Sequence, residues 1–134
     1  MDIVSHKEFI KKSYEEYKKI GYIECPAFPN EKIYFLKRGF RHLVWKGVNL
    51  REVEEQIERI NLLIYAPSIL KSSKVFKDFN KNKILGDRGN AIVNFWSFMQ
   101  EINAVKIIVL VRQINDGPKH FFSVMKKDEK HKTP

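Results

Sequence analysis

Seven consecutive residues, Val105–Val111, read Val-Lys-Ile-Ile-Val-Leu-Val and are nearly all apolar. Most of them are β-branched, which favours a central strand that is covered on both faces. An Asn-Asp-Gly-Pro sequence follows at 115–118, and because Asp-Gly is a strong hairpin signal, residues 119–126 are predicted to return as the next strand. Residues 92–100 form another β-rich run. The last third of the chain is therefore predicted to be an antiparallel meander.

The first half of the chain has helical periodicity instead. Residues 5–21 are predicted to form a helix, because they begin with the spacing of a capping box and end at a glycine. Residues 50–66 are predicted to form another, since their apolar side chains recur every three or four positions before Pro67. Residues 32–37 suit a short strand, and 38–45 fit either a helical turn or a strand. Helices followed by a meander indicate an α+β fold.

A chain of 134 residues is long enough for one domain with its own core. We divide it into an N-terminal helix and linker (1–30), a core (31–127) and a polar tail (128–134), and expect a mobile loop over 71–90. The single cysteine, Cys25, excludes an internal disulfide. Because the sequence has neither a membrane-length apolar stretch nor a hydrophobic signal core, we expect a soluble, cytoplasmic protein.

The formal net charge of +9 favours contact with a polyanion, for which nucleic acid is the most abundant candidate. The positive charge is concentrated in residues 31–49 and 67–90, and the net acidic segment 50–66 separates these two blocks. A fold could bring both blocks around one groove, which makes Lys71 and Lys74 candidate nucleic-acid contacts. The alternative is a solvated, lysine-rich surface.

Several common catalytic motifs are missing from the sequence. It contains no glycine-rich phosphate loop, no paired cysteines, no His-Glu-x-x-His motif and no acidic cluster of the kind that holds magnesium. We therefore expect no metal and no cofactor, and look for chemistry that amino-acid side chains perform by themselves.

A histidine flanked by cations, His42, ends the string Lys37-Arg-Gly-Phe-Arg-His42, and Lys46 follows shortly after. Nearby cations lower the pKa of a histidine, which leaves neutral imidazole available as a base near pH 7. Arg38 and Arg41 could hold a phosphate, and Lys37 and Lys46 could contact a nucleic-acid backbone. The alternative is that the arginines pair with acidic residues of the following helix while His42 packs as a half-buried residue.

A second polar set lies on the predicted closing hairpin and comprises Arg112, Lys119, His120, Ser123, Lys126 and Lys127. On a regular strand Ser123 faces one side while His120 and Lys126 face the other, so both could line one cleft only if the strand contains a bulge. We take Ser123 as a candidate catalytic residue, and Lys119 and Lys126 as candidate nucleic-acid contacts. The alternative for Ser123 is a cross-strand hydrogen bond.

Four motifs occur in a suggestive order: the string ending at His42, a helix ending in Tyr65-Ala-Pro-Ser-Ile69, the apolar run 105–111, and a closing strand Phe121-Phe-Ser-Val-Met125. This order resembles that of the barnase–EndoU–colicin–RelE (BECR) superfamily of nucleases. Within the superfamily, it resembles the branch of small nuclease domains carried by phages and mobile elements. The similarity covers about residues 32–127. It implies N-terminal helices packed on a four-stranded antiparallel meander sheet.

The resemblance also implies a reaction, the metal-independent cleavage of RNA. In that reaction the 2′-hydroxyl attacks the adjacent phosphate and leaves a 2′,3′-cyclic phosphate. Carried onto this sequence, His42 is the general base or acid, Arg38 or Arg41 is the phosphate cation, and Ser123 is the polar residue of the last strand, supplemented by the lysines beside it.

The leading hypothesis from the sequence is thus a toxin-like endoribonuclease that acts on tRNA or mRNA. Its positive charge would attract an acidic inhibitor or antitoxin protein. One alternative is a non-catalytic basic nucleic-acid-binding module, which binds in a salt-dependent way without turnover. Another is an adaptor whose aromatic surface binds a protein partner.

Overall fold

The computed structural model describes the backbone of residues 2–86 and 89–127 and the side chains of residues 2–81 and 90–127. The predicted tail at 128–134 lies outside the described residues. The helices are α1 (Ile3–Lys18), α2 (Lys37–Val44), α3 (Val53–Leu62) and α4 (Ala66–Ser72), and a 3₁₀ turn (Leu63–Tyr65) connects the last two. Of the helices in this part of the chain, none has the length and apolar character needed to cross a membrane.

Most of the strands belong to one mixed sheet. They are β1 (Tyr22–Glu24), β2 (Lys32–Tyr34), β5 (Asp78–Gly86), β6 (Gly89–Ile102), β7 (Val105–Ile114) and β8 (Lys119–Lys126). Over the described residues this sheet has six strands in the order β1-β2-β8-β7-β6-β5. Neighbouring strands in this sheet are antiparallel, except that β2 and β8 are parallel to each other. The short strands β3 (Trp45–Lys46) and β4 (Asn49–Leu50) form a separate hairpin.

The α+β class and the antiparallel arrangement of the last third are confirmed, because β6, β7 and β8 cover the three predicted strands. The predicted four-stranded sheet is wrong, since the described sheet has six strands. Residues 71–90 are not a loop throughout, because β5 occupies 78–86 and pairs with β6 along its full length. Nor do all helices precede the strands, because β1 to β4 lie between helices. Strands of two or three residues are too short to show a recognisable alternation.

Of the ambiguous segment 38–45, residues 38–44 belong to helix α2, which packs very closely on β8, and Trp45 begins β3. A Cβ atom added at Gly39 would lie 2.5 Å from the carbonyl oxygen of Phe121 and 2.8 Å from the hydroxyl of Tyr17. The missing side chain therefore lets the helix backbone approach the strand. Pro67 does not end a helix but lies in the first turn of α4, where a missing backbone N–H leaves no bond unmade.

The hydrophobic core lies between the helices and the sheet. Tyr17 of α1 donates a hydrogen bond from its hydroxyl to the carbonyl oxygen of Leu36 at 2.6 Å, just before α2 begins. The rings of Phe35 and Phe121 are stacked with centroids 5.0 Å apart. Since these contacts lie at the start of α2 and on β8, they fix the helix that carries His42 against the closing strand.

Candidate active site

A β-bulge shapes the closing strand β8 opposite β7. Ser123 lies opposite Leu110, while Phe121 lies opposite Val111, which makes Phe122 the extra residue of the bulge. His120 lies opposite Arg112. Because Leu110 and Arg112 are two positions apart on β7, their partners Ser123 and His120 share one face of the sheet. The bulge that the sequence required for a common cleft is thus present.

The bulged residue, Phe122, connects the helix α2 to the sheet. Its ring centroid lies 4.0 Å from that of His42 and 5.2 Å from that of Phe95 on β6. The guanidinium carbon of Arg112 lies 4.5 Å from the same phenyl ring, a cation–π distance. Phe122 therefore brings the predicted histidine and a cation of β7 to one place.

Two further arginines approach the site, Arg59 from α3 and Arg51 from the position just after β4. Arg59 donates a hydrogen bond from Nη1 to the hydroxyl oxygen of Ser123 at 2.8 Å. Arg51 donates from Nε to the carbonyl oxygen of His42 at 2.9 Å. The carboxylate of Glu55 accepts from Arg51 at 2.6 Å and from Arg59 at 3.2 Å. These bonds hold both guanidinium groups in fixed positions beside the histidine.

The imidazole of His42 is neutral at pH 7. Its pKa falls to about 4, first because the half-buried ring loses hydration and then because of the charges of Arg51, Arg59, Arg112 and Lys46. The direction agrees with the sequence-based expectation, although burial contributes more than any single cation. The Nδ1 atom of His42 is buried and forms no hydrogen bond with any described residue.

His120 is a second neutral histidine in the cluster. Arg112 donates a hydrogen bond from Nε to Nε2 of His120 at 2.9 Å, which requires an unprotonated nitrogen there. The pKa of His120 falls to about 4, chiefly through burial and then through the charge of Arg112. Burial also lowers the pKa of Arg112, and the charge of the exposed Arg38 lowers it further. Arg38 therefore belongs electrostatically to the same cluster.

We call this group the cationic cluster and define it as follows. Its members are Arg38, His42, Arg51, Arg59, Arg112, His120, Phe122 and Ser123. Its predicted members are His42, Arg38 and Ser123. Ser123 is fully buried, so its hydroxyl reaches a ligand only through the guanidinium of Arg59 that it supports.

Other predicted residues lie away from the cationic cluster. The guanidinium of Arg41 lies 5.1 Å from the ring of Trp45, and together with Lys37 it lines a separate groove of about 380 Å³ between α1 and α2. Lys119 is buried and donates a hydrogen bond to Glu31 at 2.7 Å, so its ammonium group is already occupied.

The remaining predicted lysines are all exposed to solvent. Lys46 lies in the β3–β4 hairpin and is close enough to lower the pKa of His42. Lys126 ends β8 opposite Ile107. Lys71 lies in α4 and Lys74 just beyond it, and neither is among the charges that lower the pKa of His42.

The sequence placed Arg112 and His120 in the polar set of the closing hairpin but assigned them no role, and it did not connect Arg51, Arg59 or Phe122 with the site. The sequence shows Glu55 and Arg59 four residues apart, which is typical of a surface ion pair. In the structure the Arg59 side chain is only 15% exposed, because it reaches inward to Ser123. The available signal was that Glu55 has an arginine four residues away on each side. Spacing along the sequence does not show whether such an ion pair faces solvent or the protein interior.

Among the described residues, no group of three or more His, Cys, Asp or Glu side chains is placed to hold a metal ion. Comparison with protein-family models, with curated protein sequences and with solved structures finds no match for this chain.

A neutral imidazole beside several fixed guanidinium groups suits one kind of ligand in particular. Guanidinium groups bind phosphate oxygens with charge-assisted hydrogen bonds and stabilise negative charge that develops on phosphorus. Neutral imidazole accepts a proton from a nearby hydroxyl. A ligand that brings a phosphate and a hydroxyl together uses both properties.

Proposed function

We propose that this protein is a metal-independent endoribonuclease of the BECR kind, toxin-like, that cleaves tRNA or mRNA. One observation carries the proposal: His42 packs on Phe122 of the closing strand among the guanidinium groups of Arg51, Arg59 and Arg112. RNA is the polyanion whose phosphate lies beside a 2′-hydroxyl, and the cationic cluster matches that pair of groups.

In the proposed reaction, His42 accepts the proton of the 2′-hydroxyl while the O2′–phosphorus bond forms. The bond between phosphorus and the 5′ oxygen breaks, and water protonates the leaving oxygen, which leaves a 2′,3′-cyclic phosphate. Arg59 and Arg112 stabilise the charge that builds up on the phosphate oxygens. Ser123 has a positioning role, because its hydroxyl accepts a hydrogen bond from Arg59 and fixes the direction of that guanidinium.

The low pKa of His42 is a property of the site without a ligand. An imidazole with a pKa of about 4 is a weak base at pH 7. A phosphate bound between this ring and the arginines places negative charge beside it, and an opposite charge nearby raises the pKa of a histidine. Substrate binding therefore prepares His42 to accept a proton.

The test uses end-labelled RNA incubated with the protein in EDTA. We expect cleavage products with 2′,3′-cyclic phosphate ends, and no cleavage where the attacking nucleotide carries 2′-deoxyribose. Because general-base catalysis contributes about 10²–10⁴-fold, His42→Ala and His42→Gln should lose at least about a hundredfold in rate. Arg38→Gln should also slow cleavage, whereas Lys106→Gln, an exposed cation on β7, serves as its matched control. RNA left intact by the wild type, or cut equally by the His42 variants, contradicts the proposal.

The same charge supports proposals about partners and location. An acidic inhibitor protein is a suitable partner, because a formal net charge of +9 steers acidic proteins to the surface at low salt. A nuclease that acts on tRNA or mRNA meets its substrate in the cytoplasm, which is where we place this protein.

A second candidate function is a nucleic-acid-binding module without catalysis. Complete burial of Ser123 favours it, since that hydroxyl cannot touch a phosphate directly. This alternative predicts salt-dependent binding without turnover, which glutamine substitutions at Lys71 and Lys74 weaken and His42→Ala does not.

A further inference from the structure

The structure exposes two phenylalanines on the segment between α4 and the middle of β5. The side chains of Phe76 and Phe79 are 41% and 48% exposed. β5 forms the edge of the described sheet, beyond β6. Single exposed apolar side chains are ordinary on a protein surface, but neighbouring ones that form a patch call for an explanation.

The two exposed rings are held by buried rings behind them. Phe76 stacks on Phe28 with centroids 6.4 Å apart, and Phe79 contacts Trp96 at 5.3 Å. Phe76 and Phe79 also contact each other at 6.4 Å. Phe28 and Trp96 are 7% and 8% exposed, so the inner pair belongs to the core while the outer pair remains open to solvent.

Lysines alternate with these rings along the segment. Lys71, Lys74, Lys77 and Lys81 are all exposed, whereas Asp78 is the single acidic residue between positions 71 and 81. Among the ion pairs of the described residues, none involves these four lysines. The spacing of one cation every three or four residues divides the apolar surface, which does not suit a continuous hydrophobic interface. The same spacing suits a single strand of nucleic acid, in which phosphates recur between successive bases.

We propose that Phe76, Phe79 and the four lysines form a stacking platform for unpaired bases of a single-stranded nucleic acid. The platform takes its ligand class from the proposed nuclease function, and its residues are separate from those of the cationic cluster. A phenyl ring stacks on the open face of a base, and every base has such a face, so binding tolerates different sequences. In a duplex those faces are covered by neighbouring base pairs, so the platform discriminates against double strands.

The test measures binding separately from cleavage. The probes are a fluorescein-labelled 12-nucleotide single-stranded DNA, which has no 2′-hydroxyl to attack, and the same DNA as a duplex. Fluorescence anisotropy near physiological salt should show tighter binding of the single strand. Stacking of one base on one aromatic ring contributes substantially to the binding free energy. Phe76→Leu and Phe79→Leu should therefore each weaken binding about fivefold or more. Tyrosine at either position keeps the ring and should keep binding.

Matched controls separate stacking from folding and from general charge. Ile64→Ala alters another exposed apolar side chain, 77% exposed, and should leave binding unchanged. Lys74→Gln should weaken binding to every single-stranded sequence. It should also reduce, by about one, the slope with which the logarithm of the binding constant falls against the logarithm of salt concentration. Thermal melting confirms that each variant is folded.

Two outcomes overturn the platform: leucine variants that bind as tightly as the wild type, or a duplex that binds as tightly as the single strand. These outcomes are distinguishable from failure of the nuclease proposal. Phenylalanine-dependent binding without RNA cleavage leaves the platform standing and removes the enzyme. Cleavage with unaltered binding by the leucine variants removes only the platform.

Discussion

Acid should destabilise this protein through its buried histidines, most clearly through His120. This side chain is 3% exposed and accepts a hydrogen bond from Arg112, so the native state holds it neutral. The pKa of His120 is about 4 in the folded protein, against an ordinary value of 6.5. Above pH 6.5 both folded and unfolded states are neutral at this position. As the pH falls from 6.5 towards 4, the unfolded state takes up the proton first, and stability is lost.

The size of the loss follows from the difference between the two pKa values. Each pKa unit corresponds to about 1.4 kcal/mol, so the full effect of His120 is about 3 kcal/mol. Of this, about 2 kcal/mol is lost between pH 7.5 and pH 5. Below pH 4 the native state also binds the proton, and the loss levels off. His42, with a pKa of about 4, contributes in the same direction and over the same pH window.

Urea unfolding at pH 7.5 and pH 5 measures this effect when the wild type is compared with His120→Gln. Glutamine does not titrate, and its side-chain oxygen can accept the hydrogen bond from Arg112. The wild type should lose about 2 kcal/mol more free energy of unfolding than the variant over this interval. Equal losses in the two proteins, or a pKa near 6.5 for His120 by NMR, would refute the reasoning.

Three further predictions concern the site and its support. The pKa of His42, followed by NMR, should rise when a nucleoside monophosphate is added, because a bound anion stabilises imidazolium; an unchanged pKa contradicts the proposed phosphate position. Gly39→Ala should lower the free energy of unfolding, measured in urea, by about 3 kcal/mol, because the new Cβ would lie 2.5 Å from the carbonyl oxygen of Phe121. A loss below about 1 kcal/mol contradicts that packing. Ser123→Ala removes the acceptor of Arg59 and should lower unfolding stability by about 1–3 kcal/mol and slow RNA cleavage, whereas unchanged cleavage contradicts its positioning role.

Local signals in the sequence were sufficient for the elements whose stability depends on near neighbours. The apolar run at 105–111 and the Asp-Gly turn correctly predicted β7, β8 and the hairpin between them. Helical periodicity correctly predicted α1 and α3 to within a few residues. The segment 78–86 was missed because its polar composition resembles a loop. It becomes strand β5 through its pairing with β6, a partner that supplies the hydrogen bonds its own side chains do not indicate.

The sequence showed the cationic string ending at His42, but it did not show that the side chains of Arg38 and Arg41 lie in different places. Arg38 faces the cationic cluster, whereas Arg41 lies over Trp45 in the groove with α1. The sequence left open whether 38–45 was a helix or a strand, and the two possibilities place these arginines differently. In the structure residues 38–44 are helical and Gly39 packs against Phe121, which places the two side chains in different surroundings.

What the sequence determined by itself was a basic α+β chain with a β-rich end and one histidine surrounded by cations, because composition and periodicity are local properties. The tertiary structure decided which groups meet. Arg59 and Ser123 lie 64 residues apart in sequence, and their hydrogen bond forms only because α3 packs beside β8. The bulge at Phe122 likewise depends on the register between two strands, and register is set by the contacts of whole elements rather than by any single stretch of residues.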